Sequence, residues 1–302
     1  MTAQPTFAWH QPVMVEAVLN FLNLRPGAVI VDGTVGTGGH SLAILPRLLP
    51  HGKLVVVDRD REALALVRQR LAEFEPQVTY VSDNYRNLPV ILERLGLSHV
   101  DGVLLDVGMS SMQVDHPGRG FSFSKEGPLD MRMDPGQALT AEALVNERPI
   151  DELAWMLESF GEERFAHRIA QRIVQERRRH PLTTTTQLAN LVAQSVPPRA
   201  RYGRLHPATR TFQALRIAVN DELGALQEVL SVFPNVLSPG GRAVLLTYHS
   251  LEDRLVKRTF AEGAQHGFWT VLTKKPLRPT SDEITQNPRA RSSKLRAVER
   301  RN

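Results

Sequence analysis

One segment constrains this chain more than any other: Asp32-Gly33-Thr34-Val35-Gly36-Thr37-Gly38-Gly39-His40. It follows a short apolar run at 28–32 and leads into an amphipathic stretch at 40–49. Apolar run, glycine-rich bend and helix, in that order, open a βαβ unit. Glycines are needed there because the backbone must turn sharply and approach a ligand closely. The alternation continues. Residues 53–58 read as a second strand, and 61–74 as a helix with Leu64, Val67 and Leu71 on one face. Residues 78–82 and 100–106 read as third and fourth strands. Strands apolar throughout and joined by helical crossovers imply a parallel sheet covered on both faces. The fold class is α/β.

The pattern then breaks. Residues 108–134 read as a long loop, and 140–196 as all helix. Within the helical block Asp151, after Pro149, reads as an N-cap, and Thr184 with Gln187 fits a capping box. Pro197–Pro198 closes the block. Phe212, Leu215, Val219, Leu223, Leu226 and Leu230 share one helical face. Pro239-Gly240-Gly241 reads as a turn, 242–248 as a fifth strand, and 268–273 and 295–298 as the last two. The chain is expected to form one α/β domain, 1–134 with 207–302, carrying an all-helical insertion at 135–206.

Cysteine is absent, which excludes disulfides, thiolate metal sites, iron–sulfur clusters and a cysteine nucleophile. No other metal-ligating cluster is apparent. The N-terminus lacks a basic, then apolar, leader, and no apolar run approaches the ~20 residues of a membrane span. A cytoplasmic protein without a membrane partner is expected. Net charge is +5, and the positive residues cluster. Arg164, Arg168, Arg172, Arg177, Arg178 and Arg179 crowd a helix expected at 162–180, which would bury Phe165, Ile169 and Ile173. The tail from Lys274 is equally basic. Both can track a phosphate backbone.

Asp58 ends the second strand, about 20 residues past the glycines, where an acid can accept both ribose hydroxyls of an adenosine. Two nucleoside cofactors compete for such a site. A nicotinamide dinucleotide wants G-x-G-x-x-G, but Ser41 stands at the third position. Asp32, before the glycines, suits an amino group better than a pyrophosphate. The residues favour S-adenosylmethionine, with a nicotinamide-dependent oxidoreductase as rival. Asp106 ends the fourth strand and should lie beside the cofactor. Phe121 and Phe123 can stack on bases or fill a core. His249 and Ser250 follow the fifth strand. They do not make a hydrolase, because Ser250 lacks a G-x-S-x-G elbow and adjacent side chains pair poorly as base and nucleophile.

Six blocks carry a family resemblance: HQPVMVEAV from His10, DGTVGTGGHS from Asp32, RGFSFSKEGPLDMRMD from Arg119, HPATRTFQALRIAVNDEL from His206, YHSLEDRLVK from Tyr248 and NPRARSSKLR from Asn287. In that order the chain resembles, nearly end to end, the bacterial small-subunit ribosomal RNA cytosine N4-methyltransferases of the RsmH (MraW) type. The resemblance implies a class I, Rossmann-like methyltransferase with a mostly parallel seven-stranded sheet and an inserted helical domain for substrate recognition. It implies S-adenosylmethionine as cofactor, and as substrate a cytidine amine in the decoding region of 16S ribosomal RNA within the small subunit. By motif position, Gly38, Gly39, His40, Asp58, Tyr85, Asp106 and Gln113 would contact the cofactor. Tyr85 stands where the family often has Phe, and LLTYHS where ISFHS is usual. Met109, Met112 and Val114 also depart from the usual loop. A homodimer is compatible with the sequence but not readable from it.

The missing cysteine also bears on chemistry. Methylation at pyrimidine carbon 5 generally uses a thiolate, and radical methylation uses cysteine-bound iron–sulfur; an amine or hydroxyl target remains. Asp106 is expected near the methyl donor and the amine, with His249 or Ser250 assisting. A second reading outside enzymology is an RNA-binding assembly factor that keeps the cofactor fold without turnover.

Overall fold

The computed structural model describes residues 11–203 and 205–302; His10, which opens the first family block, lies outside them. The chain divides into two compact units, Met1–Gly108 with Gly224–Asn302, and Met109–Leu223. The first begins with α1 (Val15–Leu22), β1 (Val29–Asp32), α2 (Gly39–Leu48), β2 (Lys53–Asp58), α3 (Arg61–Arg70), β3 (Val78–Ser82), α4 (Leu88–Arg94) and β4 (Val100–Asp106). Asp60 caps α3 by accepting the Glu62 N–H at 3.1 Å. The helix stops short of the expected residue 74. Pro76 disfavours helical geometry in the residue before it, and Ala72–Gln77 tightens into a 3-10 turn.

The second unit is helical: α5 (Ser111–Asp115), α6 (Ala141–Glu147), α7 (Ile150–Gly161), α8 (Ala166–Arg177), α9 (Thr185–Ser195), α10 (Pro198–Arg201) and α11 (Thr209–Asn220). The segment 108–134 is therefore not all loop. A capping box starts α5: the Ser110 hydroxyl accepts the Gln113 N–H at 3.3 Å, and Gln113 Oε1 accepts the Ser110 N–H at 3.1 Å. The expected box at Thr184 and Gln187 is present before α9. Asp151 is not a cap. Pro149 holds that position, and Asp151 sits inside the first turn of α7, where its negative charge complements the positive end of the helix dipole. The unit packs around Leu129, Met131, Leu153, Leu157, Ile169 and Phe212. That core draws in residues on both sides of the 135–206 drawn from sequence.

The expected continuous face from Phe212 to Leu230 is two helices. Asp221 adopts a left-handed φ of 46°, which ends α11 before α12 (Glu222–Val236) begins. Then come β5 (Leu237–Thr247), α13 (Ser250–Gln265), β6 (Trp269–Val271), α14 (Ser281–Gln286) and β7 (Lys294–Arg300). The expected turn at Pro239–Gly241 lies inside β5 as an irregularity, because register slips between the pairs Val100–Leu237 and Gly102–Arg242. Sheet order is β3-β2-β1-β4-β5-β7-β6. β7 runs antiparallel to both neighbours, and the other strand pairs are parallel. Val31, Val55, Val103 and Leu245 join one buried cluster, and Ile30, Val56, Leu104 and Val244 another. Both faces of the sheet are thus covered, which is why its strands read as unbroken apolar runs. This is the Rossmann-like, mostly parallel seven-stranded sheet expected from the sequence. No described helix is long and apolar enough to cross a membrane.

Asn220 laces the second unit. Its Oδ1 accepts the Met133 N–H at 2.8 Å, and its Nδ2 donates to the carbonyls of Met131 at 2.7 Å and Arg216 at 2.9 Å. All three bonds are buried, so Asn220→Ala strands backbone groups away from water. The expected cost is about 1–3 kcal/mol, read as a lower midpoint in denaturant unfolding, while Gln175→Ala on an exposed face stays within about 0.5 kcal/mol of the parent. Equal midpoints for parent and Asn220→Ala would contradict the lacing.

Candidate active site

In the sheet order, the direction of chain progression reverses between β1 and β4. Ligands in open α/β sheets bind outside the carboxyl ends of the strands at such a point. The glycine-rich turn leaves β1 there. Gly33 packs so tightly that a β-carbon would lie 2.4 Å from the Leu105 side chain. Gly38, at a φ of 77°, caps α2 in a conformation that L-residues rarely adopt, and Gly39 and His40 open the helix.

Two hydrogen bonds tie this turn to its neighbours, and a third steadies the carboxylate that one of them uses. The Gly36 N–H donates to Asp58 Oδ2 at 2.9 Å. Asp58 Oδ1 accepts the Asp60 N–H, also at 2.9 Å. Thr34 Oγ1 accepts the Asp106 N–H at 2.6 Å. Asp32 is buried within the turn and accepts from the Ser41 hydroxyl at 2.7 Å. Burial holds its carboxyl above the usual range against the Ser41 hydrogen bond and the His40 charge. Asp32 thus organises the turn. Burial also lifts Asp58 to about 6, despite its two backbone donors.

At the end of β4, Asp106 meets two side chains. The Tyr248 hydroxyl donates to Asp106 Oδ1 at 2.7 Å, and His40 Nε2 lies 3.5 Å from Oδ2. Burial, then the Asp106 charge, pushes the Tyr248 phenol well above its ordinary value, so it remains a donor. His40 is buried, and neither ring nitrogen is hydrogen-bonded among the described residues. An unsatisfied buried polar edge costs about 1–3 kcal/mol, and a polar ligand in the crevice would relieve it. The unbonded imidazole, half-buried Asp58 and partly exposed Asp106 put a polar ring edge and two carboxylates at the ends of β2 and β4.

The other sequence candidates sit as follows. Tyr85 is buried at the head of a short 3-10 turn after β3, and its β-carbon is near Gly33. Gln113 belongs to the second unit, where its side chain closes the α5 capping box. His249 caps α13. Its Nδ1 accepts the Glu252 N–H at 3.4 Å, and its Nε2 is 2.9 Å from Glu252 Oε1. Ser250 is exposed in the first turn of that helix. The residue of this segment that reaches Asp106 is Tyr248, which sequence reasoning passed over. Its signal was its position at the end of β5, the parallel neighbour of β4.

Phe121 is buried in the core of the second unit, and Phe123 packs 4.7 Å from the rings of both His206 and Phe212. Phe121 thus fills a core rather than awaiting a base. In α8, Ile169 and Ile173 are buried, and Phe165, just before the helix, is partly so. The basic tail divides. Lys294 and Arg296 pair with Asp253 at 2.8 and 2.7 Å, and Arg300 bonds the Leu237 carbonyl. Lys274, Lys275, Arg278, Arg289 and Arg291 remain exposed.

Residues 7–301 match the model of the MraW methylase family. Among relatives, a Heliobacterium modesticaldum protein is 47% identical over 307 residues, covering 96% of this chain and 98% of its own. One from Cyanothece sp. is 48% identical over 297 residues, covering 98% and 96%. Both are named ribosomal RNA small subunit methyltransferase H. A solved Clostridium thermocellum protein, titled a putative rRNA-methylase, aligns over 97% of this chain and 100% of its own at 12% identity. Its TM-score of 0.47 is too slight to carry an inference. Matched from near its first residue to near its last, and close to half identical to such relatives, the chain belongs to the MraW methylase family, whose methyl donor is S-adenosylmethionine.

Proposed function

We propose that the chain methylates the exocyclic N4 amine of a cytidine in the decoding region of 16S ribosomal RNA, in the cytoplasm and within the small ribosomal subunit. The carrying observation is the pair of carboxylates, Asp58 and Asp106, that flank the glycine turn at the ends of β2 and β4. The names of full-length relatives support ribosomal RNA as the substrate, and the absence of cysteine disfavours carbon-5 chemistry. In this reading Gly38, Gly39 and His40 border the amino-acid end of the cofactor. Asp58 accepts the ribose hydroxyls, and Tyr85 flanks the adenine. The helical unit supplies RNA contacts.

When bound, S-adenosylmethionine supplies a methyl group already activated on a sulfonium. The chain must supply position. The cytosine amine is a weak nucleophile because its lone pair is delocalised into the ring. A carboxylate oxygen of Asp106 accepts one amine N–H, favours the pyramidal nitrogen and aligns it for displacement. Tyr248 holds the other oxygen. His249 acts at one remove by fixing the turn before α13, and Ser250 stands beside it. This role for Asp106 predicts that Asp106→Asn lowers single-turnover methyl transfer by about 10²-fold or more, with S-adenosylmethionine affinity changed by less than about threefold. Full turnover in that variant would remove Asp106 from the chemistry.

Asp58 gives a pH dependence. Burial raises its carboxyl from 3.8 to about 6. The ionised form accepts hydroxyl protons, so cofactor affinity should be full above about pH 7 and fall as pH drops through about 6. The same shift makes Asp58 ionisation cost fold stability as pH rises from 3.8 to about 6 in the cofactor-free protein. Calorimetric titration from pH 5 to pH 8 should follow this curve, and Asp58→Asn should flatten it with weaker affinity throughout. A parent curve flat across that range would exclude ionised Asp58 from binding.

The whole reading is tested by tritiated methyl incorporation into small subunits that lack the modification, followed by nucleoside mass spectrometry. N4-methylcytidine is the expected product. Incorporation at another atom would correct the target, and none at all would favour a non-catalytic assembly factor.

A further inference from the structure

We propose that the exposed face of α8 is a docking surface for the phosphodiester backbone of RNA, an inference that rests on the RNA reading above. From Arg164 to His180 every exposed residue is Arg, His or Gln, and the segment's one acid, Glu176, is partly buried. Arg168 and Arg172 are four apart on α8, with Arg164 in the turn before it and Arg178 and Arg179 just past its end. None of these five has an ion-pair partner among the described residues. Like charges four apart on a helix repel, and solvated helix faces usually interleave both signs. Burial, and then the charge of Arg178, lower the proton affinity of Arg177. A row of cations without counter-charges gains most from a polyanion that neutralises several at once.

The chemistry of the face selects among polyanions. Guanidinium forks match phosphate oxygens in bidentate geometry. The glutamines between them, Gln171 and Gln175, add neutral amide donors suited to the same oxygens. A protein interface would want a desolvated apolar centre, and this face has none. A membrane-surface helix would need its apolar side free. That side of α8, with Ala166, Ile169, Ala170 and Ile173, is buried in the core of the unit. Arg177 is the exception: it turns inward and donates to the Val145 carbonyl at 2.8 Å, so it serves the fold and not the surface.

The test uses full-length protein and two probes, a single-stranded RNA oligonucleotide of arbitrary sequence and intact small subunits, each titrated across a potassium chloride series. The Arg168→Gln/Arg172→Gln double variant should keep the parental melting temperature and S-adenosylmethionine affinity. It should bind both probes at least tenfold more weakly at low salt. Its slope of log affinity against log salt should fall by about 1.4 to 2. Arg168→Lys/Arg172→Lys should retain most of that slope, because the charge is kept. A double variant matching the parent in slope and affinity would overturn the surface while leaving the RNA reading intact. Loss on subunits with unchanged oligonucleotide binding would assign the face to a protein instead, and so overturn the proposal. A parent that binds no RNA at any salt would overturn the RNA reading itself.

Discussion

Two hydrogen bonds hold the glycine turn in register with the strands on either side. Gly36 donates to Asp58 at the end of β2, and Thr34 accepts from the Asp106 backbone at the end of β4. The first bond sets the position of one carboxylate directly. The second fixes the backbone of the residue that bears the other. Because the sheet is covered on both faces, those ends cannot drift without disturbing two cores. The crevice is therefore preorganised by the packing of the sheet, and the burial that holds Asp58 in place makes its carboxyl harder to ionise.

Asp106 is oriented as well as placed. A lone carboxylate at the rim of a crevice rotates freely between orientations. Here one oxygen accepts the Tyr248 hydroxyl, and the other lies toward His40. The two oxygens are thus made inequivalent before any substrate arrives. Glu252 supports the same arrangement from below, accepting the backbone N–H groups of Tyr248 and His249 and fixing the turn that carries the phenol.

Much of this was legible in the sequence because it depends on local signals. Unbroken apolar runs placed the first four strands to within a residue, while β5 begins five residues before the run expected for it, and a dense glycine bend marked the switch point. Thr184 and Gln187 announced a helix start by spacing alone. What escaped reading had tertiary causes or weak local ones. Tyr248 meets Asp106 only because β5 lies beside β4, a fact of strand order that no spacing encodes. His249 caps a helix although histidine is a poor cap, because Glu252 completes the box. The left-handed turn at Asp221 splits one apolar face into two helices without glycine to announce it. Ser110 and Gln113 did carry a capping signal, hidden in a stretch whose composition reads as loop. Phe121 looked available for stacking until the core of the second unit enclosed it.

The central claim is that the methyl donor sits against the glycine turn, between the ends of β2 and β4. Ultraviolet crosslinking with methyl-tritiated S-adenosylmethionine, followed by peptide mapping, addresses that claim most directly. The account predicts label in peptides that contain the glycine turn, Tyr85 or Asp106, chased by unlabelled cofactor. Chaseable label confined to peptides that hold none of these residues would contradict it.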